Sequence, residues 1–337
     1  MLDATKLKGG RAAFGSLSHL ICGDPMRLVS VLKACAVSAC ALLPTASFSS
    51  NGPAATTHAA TEVSAGSIIQ DTGVANRLVV GELLRTLTQE IPAAACHLHN
   101  QINVEDATDN IVYGVAQIDE LLDALIAGDL FWGITTPETR RKTLAEIAAL
   151  REDWVPVQVA ATRLLDDPTD LVAASLVYGA ADMLEDRTYK LLTTLDSQYS
   201  GAAEILRRDV MFIQLSGRMA AMNQHLALEA CLLASNGADP EVIEDFNRTI
   251  SNYQNSLHAL SHGYDAMGIL PPQTPGIADK LSEIAGVWTQ NRKFLDRVAL
   301  SEPLSETDRH ALYYGLIDER VVILDLLFLY QDHAKVH

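Results

Sequence analysis

The chain has 337 residues, of which 48% are hydrophobic and 6% aromatic, and its formal net charge is −17. This length is sufficient for two domains, and a composition with few aromatic residues favours helices over strands. The negative charge argues against a nucleic-acid partner, because phosphate groups would be repelled. The sequence contains no Gly-rich phosphate loop, nucleophile elbow or metalloprotease signature. We therefore expect no enzymatic activity and no cofactor.

Residues 1–60 are typical of a leader. A basic stretch from Met26 to Lys33 precedes an apolar run from Ala34 to Leu43, and small residues follow. This is the order of a secretory signal peptide, and the apolar run is too short to cross a bilayer. We predict a signal peptide that starts at Met26, a flexible segment after it, and a periplasmic protein; a disordered N-terminus is the alternative. The four residues that end at Cys40 resemble a lipoprotein cleavage box, which would allow anchoring there.

The rest of the chain has the pattern of two groups of four helices. Apolar residues at steps of three and four mark a first helix in each group, around 80–98 and 215–233. The other helices are predicted at about 104–127, 137–165 and 169–199, and at about 240–262, 275–299 and 305–333. Start signals are Thr136-Pro137, Asp239-Pro240, Thr274-Pro275 and Ser305 with Asp308. The apolar stretch 312–330 is interrupted by charges, so it predicts a buried helix, and we expect no membrane span in the mature chain.

The second half of the chain repeats the first at a fixed shift, the one that places Cys96 on Cys231. The same shift pairs Gln89 with Gln224, Gly128 with Gly263, Gly133 with Gly268, and Pro137 with Pro272. The order of the matches is kept with single-residue gaps, which indicates an internal duplication. We therefore predict an all-α protein made of two tandem antiparallel four-helix bundles, residues 70–200 and 201–337.

The first helix of the second copy contains the pair Gly217-Arg218, followed by Gln224 and by Glu229-Ala230-Cys231, and a Gly-Pro-Pro turn lies near residues 268–272. This pattern resembles the N-terminal sensory domain of type IV pilus methyl-accepting chemotaxis transducers, the PilJ-type domain, and the related periplasmic sensors of nitrate- and nitrite-sensing kinases. The resemblance covers about 76–199 and 202–335. It implies a sensory role, and an arginine that binds a small inorganic anion such as nitrate near a dimer axis. A homodimer is therefore a further expectation.

The sequence also departs from that family. The family motif runs Gly-Arg-Gln-Arg-Met-Leu-Ser-Gln, whereas Met219, Ala220 and Met222 stand here in place of Gln, Arg and Leu. The first copy has Leu83, or Glu82 with a one-residue slip, at the position of Arg218. The first copy therefore resembles a degenerate scaffold copy, unless Arg77 or Arg85 takes the place of the missing arginine, and the ligand is expected in the second copy.

Arg218 is also a candidate on physical grounds. It follows Leu215 by three residues and precedes Met222 by four, so it lies on or beside the apolar stripe of its helix. A cation there needs an anion, water or a carboxylate, because an unpaired buried charge is costly. A planar guanidinium suits a planar oxyanion, and an ion pair with Glu229 or Asp318 is the alternative. The candidate ligand-binding residues are Gly217, Arg218, Met222, Gln224 and His225.

Cys96 and His99 form the most metal-like pair, because a spacing of three residues places them on one helix face. No third ligand is evident, so we expect no metal at this pair. Cys96 and Cys231 either form one disulfide in an oxidising compartment or remain two small buried residues. We favour the second reading.

These observations predict an exported sensory or ligand-binding protein that recognises a small oxyanion and relays its state to a partner receptor or transport protein. Two alternatives stay open. One is a helical interaction scaffold without a ligand, and the other is a helical-bundle carrier of a metal or haem. An arginine facing a cavity favours the first function, a sealed ion pair favours the scaffold, and a converging third metal ligand favours the carrier.

Overall fold

The computed structural model describes residues 73–199, 205–237 and 239–335, and these residues are almost entirely helical. The helices are α1 (Val74–His99), α2 (Val104–Ala127), α3 (Arg141–Asp166), α4 (Leu171–Gly179), α5 (Ala181–Tyr199), α6 (Arg207–Asn236), α7 (Pro240–His262), α8 (Pro275–Ala299) and α9 (Glu306–Ala334), with a 3₁₀ turn at Asp265–Met267. The all-α prediction is confirmed. The predicted leader, residues 1–60, and the predicted boundary at residues 200 and 201 lie outside the described residues. None of the helices in the described part has the length and apolarity needed to cross a membrane.

Side-chain caps begin helices α7, α8 and α9, as predicted. An oxygen of Asp239, Thr274 or Ser305 accepts a hydrogen bond from a backbone N–H in the first turn of α7, α8 or α9, respectively. Such caps satisfy donors that have no partner inside the helix. The predicted start of a helix at Thr136-Pro137 is wrong, because α3 begins at Arg141. The preceding residues pack against the end of α2 instead, where the N–H of Glu138 donates to the carbonyl of Ile126.

The helices contact one another in two cycles. In the first group, α1 packs on α2, α4 and α5, and α3 packs against the same three helices. In the second group, α6 packs on α7 and α9, and α8 packs against the same two helices. The fourth helix of the first group is divided at Ala180 into α4 and α5. The most extensive helix contact joins the groups through α1 and α6. As a result, α1 is buried along nearly its whole length.

Helices α1 and α6 lie side by side, parallel and in register. The side chain of Glu82 packs on Gly217, His225 lies 2.9 Å from Gln89, and a disulfide joins Cys96 to Cys231. These contacts join residues 135, 136 and 135 positions apart, respectively. An antiparallel pair would give a different separation at every contact, so the nearly constant value establishes the parallel register. The expectation of two separate buried thiols is wrong, because this register brings the two sulfurs together.

The loop between the second and third helix has the same backbone form in both groups. Asp129 pairs with Ile134 in an isolated antiparallel bridge, and Tyr264 pairs with Ile269 in the same way. Each bridge follows a glycine with positive φ, 78° in the first loop and 81° in the second, a conformation that favours glycine. The two bridges are separated along the chain by the same interval as the two cysteines, which is consistent with the predicted duplication.

Candidate ligand-binding site

Three of the five candidate residues share the least buried stripe of α6. Arg218 is exposed, and Met222 and His225 are partly exposed, at steps of four and three residues. The other faces of α6 pack against α1, α7 and α9. Arg218 does lie between Leu215 and Met222, as its spacing indicates. The stripe lies at the edge of the core, because Leu215 and Met222 pack against the core and Arg218 is exposed to solvent.

The other two candidates, Gly217 and Gln224, point away from this stripe. A Cβ atom on Gly217 would lie 2.4 Å from the Cβ of Glu82 in α1. Gln224 is 1% exposed, and its amide donates to Asn223 at 2.7 Å. Both residues therefore serve helix packing, and a glycine is needed at 217 because α1 and α6 approach so closely there.

Glu82 lies in α1 beside this stripe and is fully buried. Neither of its carboxyl oxygens has a hydrogen-bond partner within the described ranges. The nearest cation is Arg85, whose Nη1 is 3.7 Å from Oε2 of Glu82. Burial raises the pKa of Glu82 to about 8, although the charges of Arg85 and Arg218 lower it. The carboxyl group is therefore mainly protonated at pH 7.

Arg85 connects Glu82 to helix α5. Its Nε donates to Oε1 of Glu185 at 2.8 Å, and its Nη2 donates to the same oxygen. Its side chain is 7% exposed and that of Glu185 is 34% exposed, so the pair lies where α1 and α5 meet the surface. Arg85 is thus already engaged by a carboxylate.

His225 lies closer to the disulfide. Its Nδ1 is 2.9 Å from the side-chain oxygen of Gln89, and its Nε2 is 3.5 Å from Glu229. Burial lowers the pKa of His225, but the hydrogen bond and charge of Glu229, with the charges of Asp182 and Glu185, raise it overall. His225 therefore gains positive charge at a higher pH than an ordinary histidine.

The residues around Arg218 come from three helices: Glu82 and Arg85 from α1, Glu185 from α5, and Met222 and His225 from α6. Arg218 makes no hydrogen bond or ion pair with any residue in the described ranges, although its charge acts on Glu82. The alternative ion pair with Glu229 or Asp318 is not formed there, and Glu229 contacts His225 instead. The chemistry available at Arg218 is the binding of an anion from solvent.

Cys96 and His99 do not form a metal site. The sulfur of Cys96 is bonded to Cys231, and Nδ1 of His99 lies 2.8 Å from the carbonyl of Pro168. Metal binding needs a thiolate, which a disulfide does not supply. In the part of the chain that the structure describes, no three potential ligands are grouped closely enough to hold an ion.

Another buried carboxyl group, that of Glu319, was not predicted. It accepts hydrogen bonds from the hydroxyl of Tyr253 at 2.5 Å, from Asn291 at 2.7 Å and from Asn223 at 3.3 Å. Burial raises the pKa of Glu319 to about 7, against the effect of the bonds from Tyr253 and Asn291. The four side chains come from α9, α7, α8 and α6, so no local spacing indicates them.

Residues 202–313 match the family model described as the type IV pili methyl-accepting chemotaxis transducer N-terminal domain. The matched segment is about a third of the 337 residues. It includes α6, α7, α8 and the first turns of α9, and therefore Arg218, Met222 and His225. This match supports a sensory or signalling role. No curated protein matches the chain.

Proposed function

We propose that this chain is an exported sensory protein that binds a small oxyanion, such as nitrate or nitrite, at Arg218 and relays the bound state to a partner protein. The observation that carries the proposal is the exposed guanidinium of Arg218. It lies within the matched segment, and it has no ion pair or hydrogen bond with a described residue. Met222 and His225 follow it on the same stripe, four and seven residues further along α6.

The charges around Glu82 support an anion at this place. Protonated Glu82 contributes no charge at pH 7, and Arg85 and Glu185 offset each other. The charge of Arg218 is then in excess, in a chain whose net charge is −17. A guanidinium can donate two parallel hydrogen bonds to a planar oxyanion, which favours nitrate-like ligands.

The position of Arg218 also supports a relay. The next residue in the chain towards the N-terminus, Gly217, forms the close contact with Glu82 of α1. A ligand that binds one arrangement of α6 on α1 more tightly than another shifts their populations. Export is supported by the Cys96–Cys231 disulfide, because such bonds persist mainly in oxidising compartments.

An interaction scaffold without a ligand is the second candidate function. The observation that favours it is the exposure of apolar side chains in the two equivalent loops. Leu130 and Phe131 are 83% and 69% exposed in the first loop, and Tyr264 and Met267 are 54% and 61% exposed in the second. Grouped apolar residues at a surface are typical of protein contacts.

Thermal melting of the full chain with and without millimolar nitrate or nitrite tests the anion proposal. We expect the wild-type melting temperature to rise, because a ligand of the folded state stabilises it. Arg218→Ala should abolish the rise. Arg218→Lys should reduce it, since lysine keeps the charge but loses the paired donors.

Leu83→Ala is the matched control, because Leu83 occupies the equivalent position in α1 and packs against the core. This variant should melt at a lower temperature and keep the response to anion. A wild-type protein that responds to neither anion would overturn the anion proposal and leave the scaffold.

A further inference from the structure

A cavity of about 210 Å³ lies at the C-terminal end of α6, about 15 residues along this helix from Arg218. It lies between the last turn of α6, the end of α8, the loop from α8 to α9 and the start of α9. Most of its wall is apolar and is formed by Leu233, Ala234, Val298, Pro303 and Leu304. The cavity therefore suits the apolar part of a small molecule.

Arg309 supplies a cation to this cavity. Its side chain is partly buried, and its Nε is shielded from solvent and has no hydrogen-bond partner among the residues that the structure describes. Its guanidinium forms no ion pair with residues in the ranges that the structure describes. A shielded donor without a partner is costly, so Arg309 is prepared to receive an acceptor.

The neighbouring charges do not satisfy Arg309. Glu302 also lines the cavity, but it lies 3.7 Å from Arg297. Asp308 is 2.9 Å from the same arginine. Both nearby carboxylates thus form ion pairs with Arg297, so Arg309 can bind an anion from solvent.

A second pocket beside Arg309 is too small for the body of a ligand. Arg309 also lines this pocket of about 20 Å³, together with His97 and Cys231. Such a volume holds little more than one water molecule. Only the larger cavity can therefore accept the body of a ligand.

We propose that the larger cavity binds a small organic anion, namely a carboxylate with an apolar body. The carboxylate accepts hydrogen bonds from Arg309, and the apolar body packs on Leu233, Val298 and Leu304. The volume is smaller than the ~300–1,000 Å³ of sites for drug-sized ligands, so the ligand is a monocarboxylate of the size of benzoate or hexanoate. This site is separate from Arg218 and does not depend on the proposed function.

Calorimetric titration of the full chain with benzoate and hexanoate tests the proposal, with neutral benzamide as the matched probe. We expect saturable binding of at least one carboxylate and none of benzamide. Arg309→Gln should weaken binding by about tenfold or more, because a charge-assisted hydrogen bond is lost. Arg309→Lys should give an intermediate affinity, and Arg248→Gln, which removes an exposed arginine of α7, should bind as the wild type does.

Ala234→Trp provides a second variant that leaves Arg309 in place. Ala234 is exposed at the edge of the cavity, so the larger side chain fills the cavity and should abolish binding without unfolding the helix. Circular dichroism of each variant checks the fold. The proposal is overturned if the wild type binds neither carboxylate saturably, if benzamide binds equally well, or if folded Arg309→Gln and Ala234→Trp bind as the wild type does.

Discussion

Helices α1 and α6 occupy equivalent places in the fold, but their charged side chains differ at equivalent positions. We call the side of the pair that carries Arg218 the α6 flank, and the side that carries Glu90 the α1 flank. On the α6 flank, Arg218 is exposed without an ion pair in the described residues, and His225 lies two helical turns further on. The equivalent positions of α1 are Leu83 and Glu90. Leu83 packs against the core, and Glu90 forms a buried ion pair with Arg320 of α9.

This difference shows how one helix framework can serve two purposes. The ion pair on the α1 flank has side chains only 5% and 15% exposed, so it fixes α9 against α1. The α6 flank leaves its cation at the surface, where binding of a ligand can change the balance of charge. The first flank is therefore expected to determine stability and the second to determine response.

The largest expected effect is at the buried ion pair. Arg320→Ala leaves Glu90 buried without its cation, and we expect the free energy of unfolding to fall by about 3–5 kcal/mol. Arg218→Ala removes an exposed cation and should change it by no more than about 0.5 kcal/mol. Urea unfolding followed by circular dichroism measures both variants. Equal losses would show that the two flanks do not differ in the way proposed.

The next effect is the pH dependence that Glu82 confers. Burial raises its pKa from 4.5 to about 8. In that pH window the folded protein holds a proton that the unfolded chain has released, so wild-type stability must fall as the pH rises. Glu82→Gln removes this contribution. We expect the variant to match the wild type near pH 5 and to exceed it by on the order of 3 kcal/mol at pH 9.

Urea unfolding across the same pH range measures this prediction. Glu244→Gln is the control, because Glu244 is exposed on α7, and its stability should follow the wild-type curve. Parallel curves for Glu82→Gln and the wild type would mean that the buried carboxyl group does not titrate as described.

The smallest effect concerns the close approach of α1 and α6. Gly217→Ala places a Cβ atom 2.4 Å from Cβ and 2.5 Å from Cγ of Glu82, and we expect a loss of about 1–3 kcal/mol. Gly286→Ala in α8 adds a Cβ atom with nothing within 4 Å, and should stabilise by up to about 1 kcal/mol. Melting temperatures of the two variants compare these effects. A gain in stability at Gly217 would contradict the tight contact.

Local sequence signals predicted most of the helices, because caps and periodicity are encoded in adjacent residues. Helix α2 was predicted at 104–127 and spans Val104–Ala127, and α7 was predicted at 240–262 and spans Pro240–His262. The division of the fourth helix at Ala180 was not predicted. The break directly follows Gly179, but a single glycine inside a helical pattern is tolerated, so periodicity predicted one continuous helix.

The candidate site could be predicted only in part. Arg218, Met222 and His225 share a helix face by their spacing, which the sequence contains. Glu82 and Glu185 come from α1 and α5, so their proximity depends on tertiary packing. The disulfide was only one of two alternatives, and not the favoured one, for a related reason. The repeat aligned Cys96 with Cys231, but their bonding required knowledge that equivalent helices pack together in parallel.

The position of the disulfide determines how α1 and α6 can move relative to each other. A covalent bond near their C-terminal ends prevents one helix from sliding along the other, so the remaining freedom is a tilt about the bond. Both Gly217 and Arg207, the first residue of α6, precede Cys231 on the same helix. At a rise of ~1.5 Å per residue, their distances from the bond are lever arms of about 21 Å and about 36 Å, respectively. For one tilt angle, the displacement at the start of α6 is therefore almost twice the displacement beside Arg218.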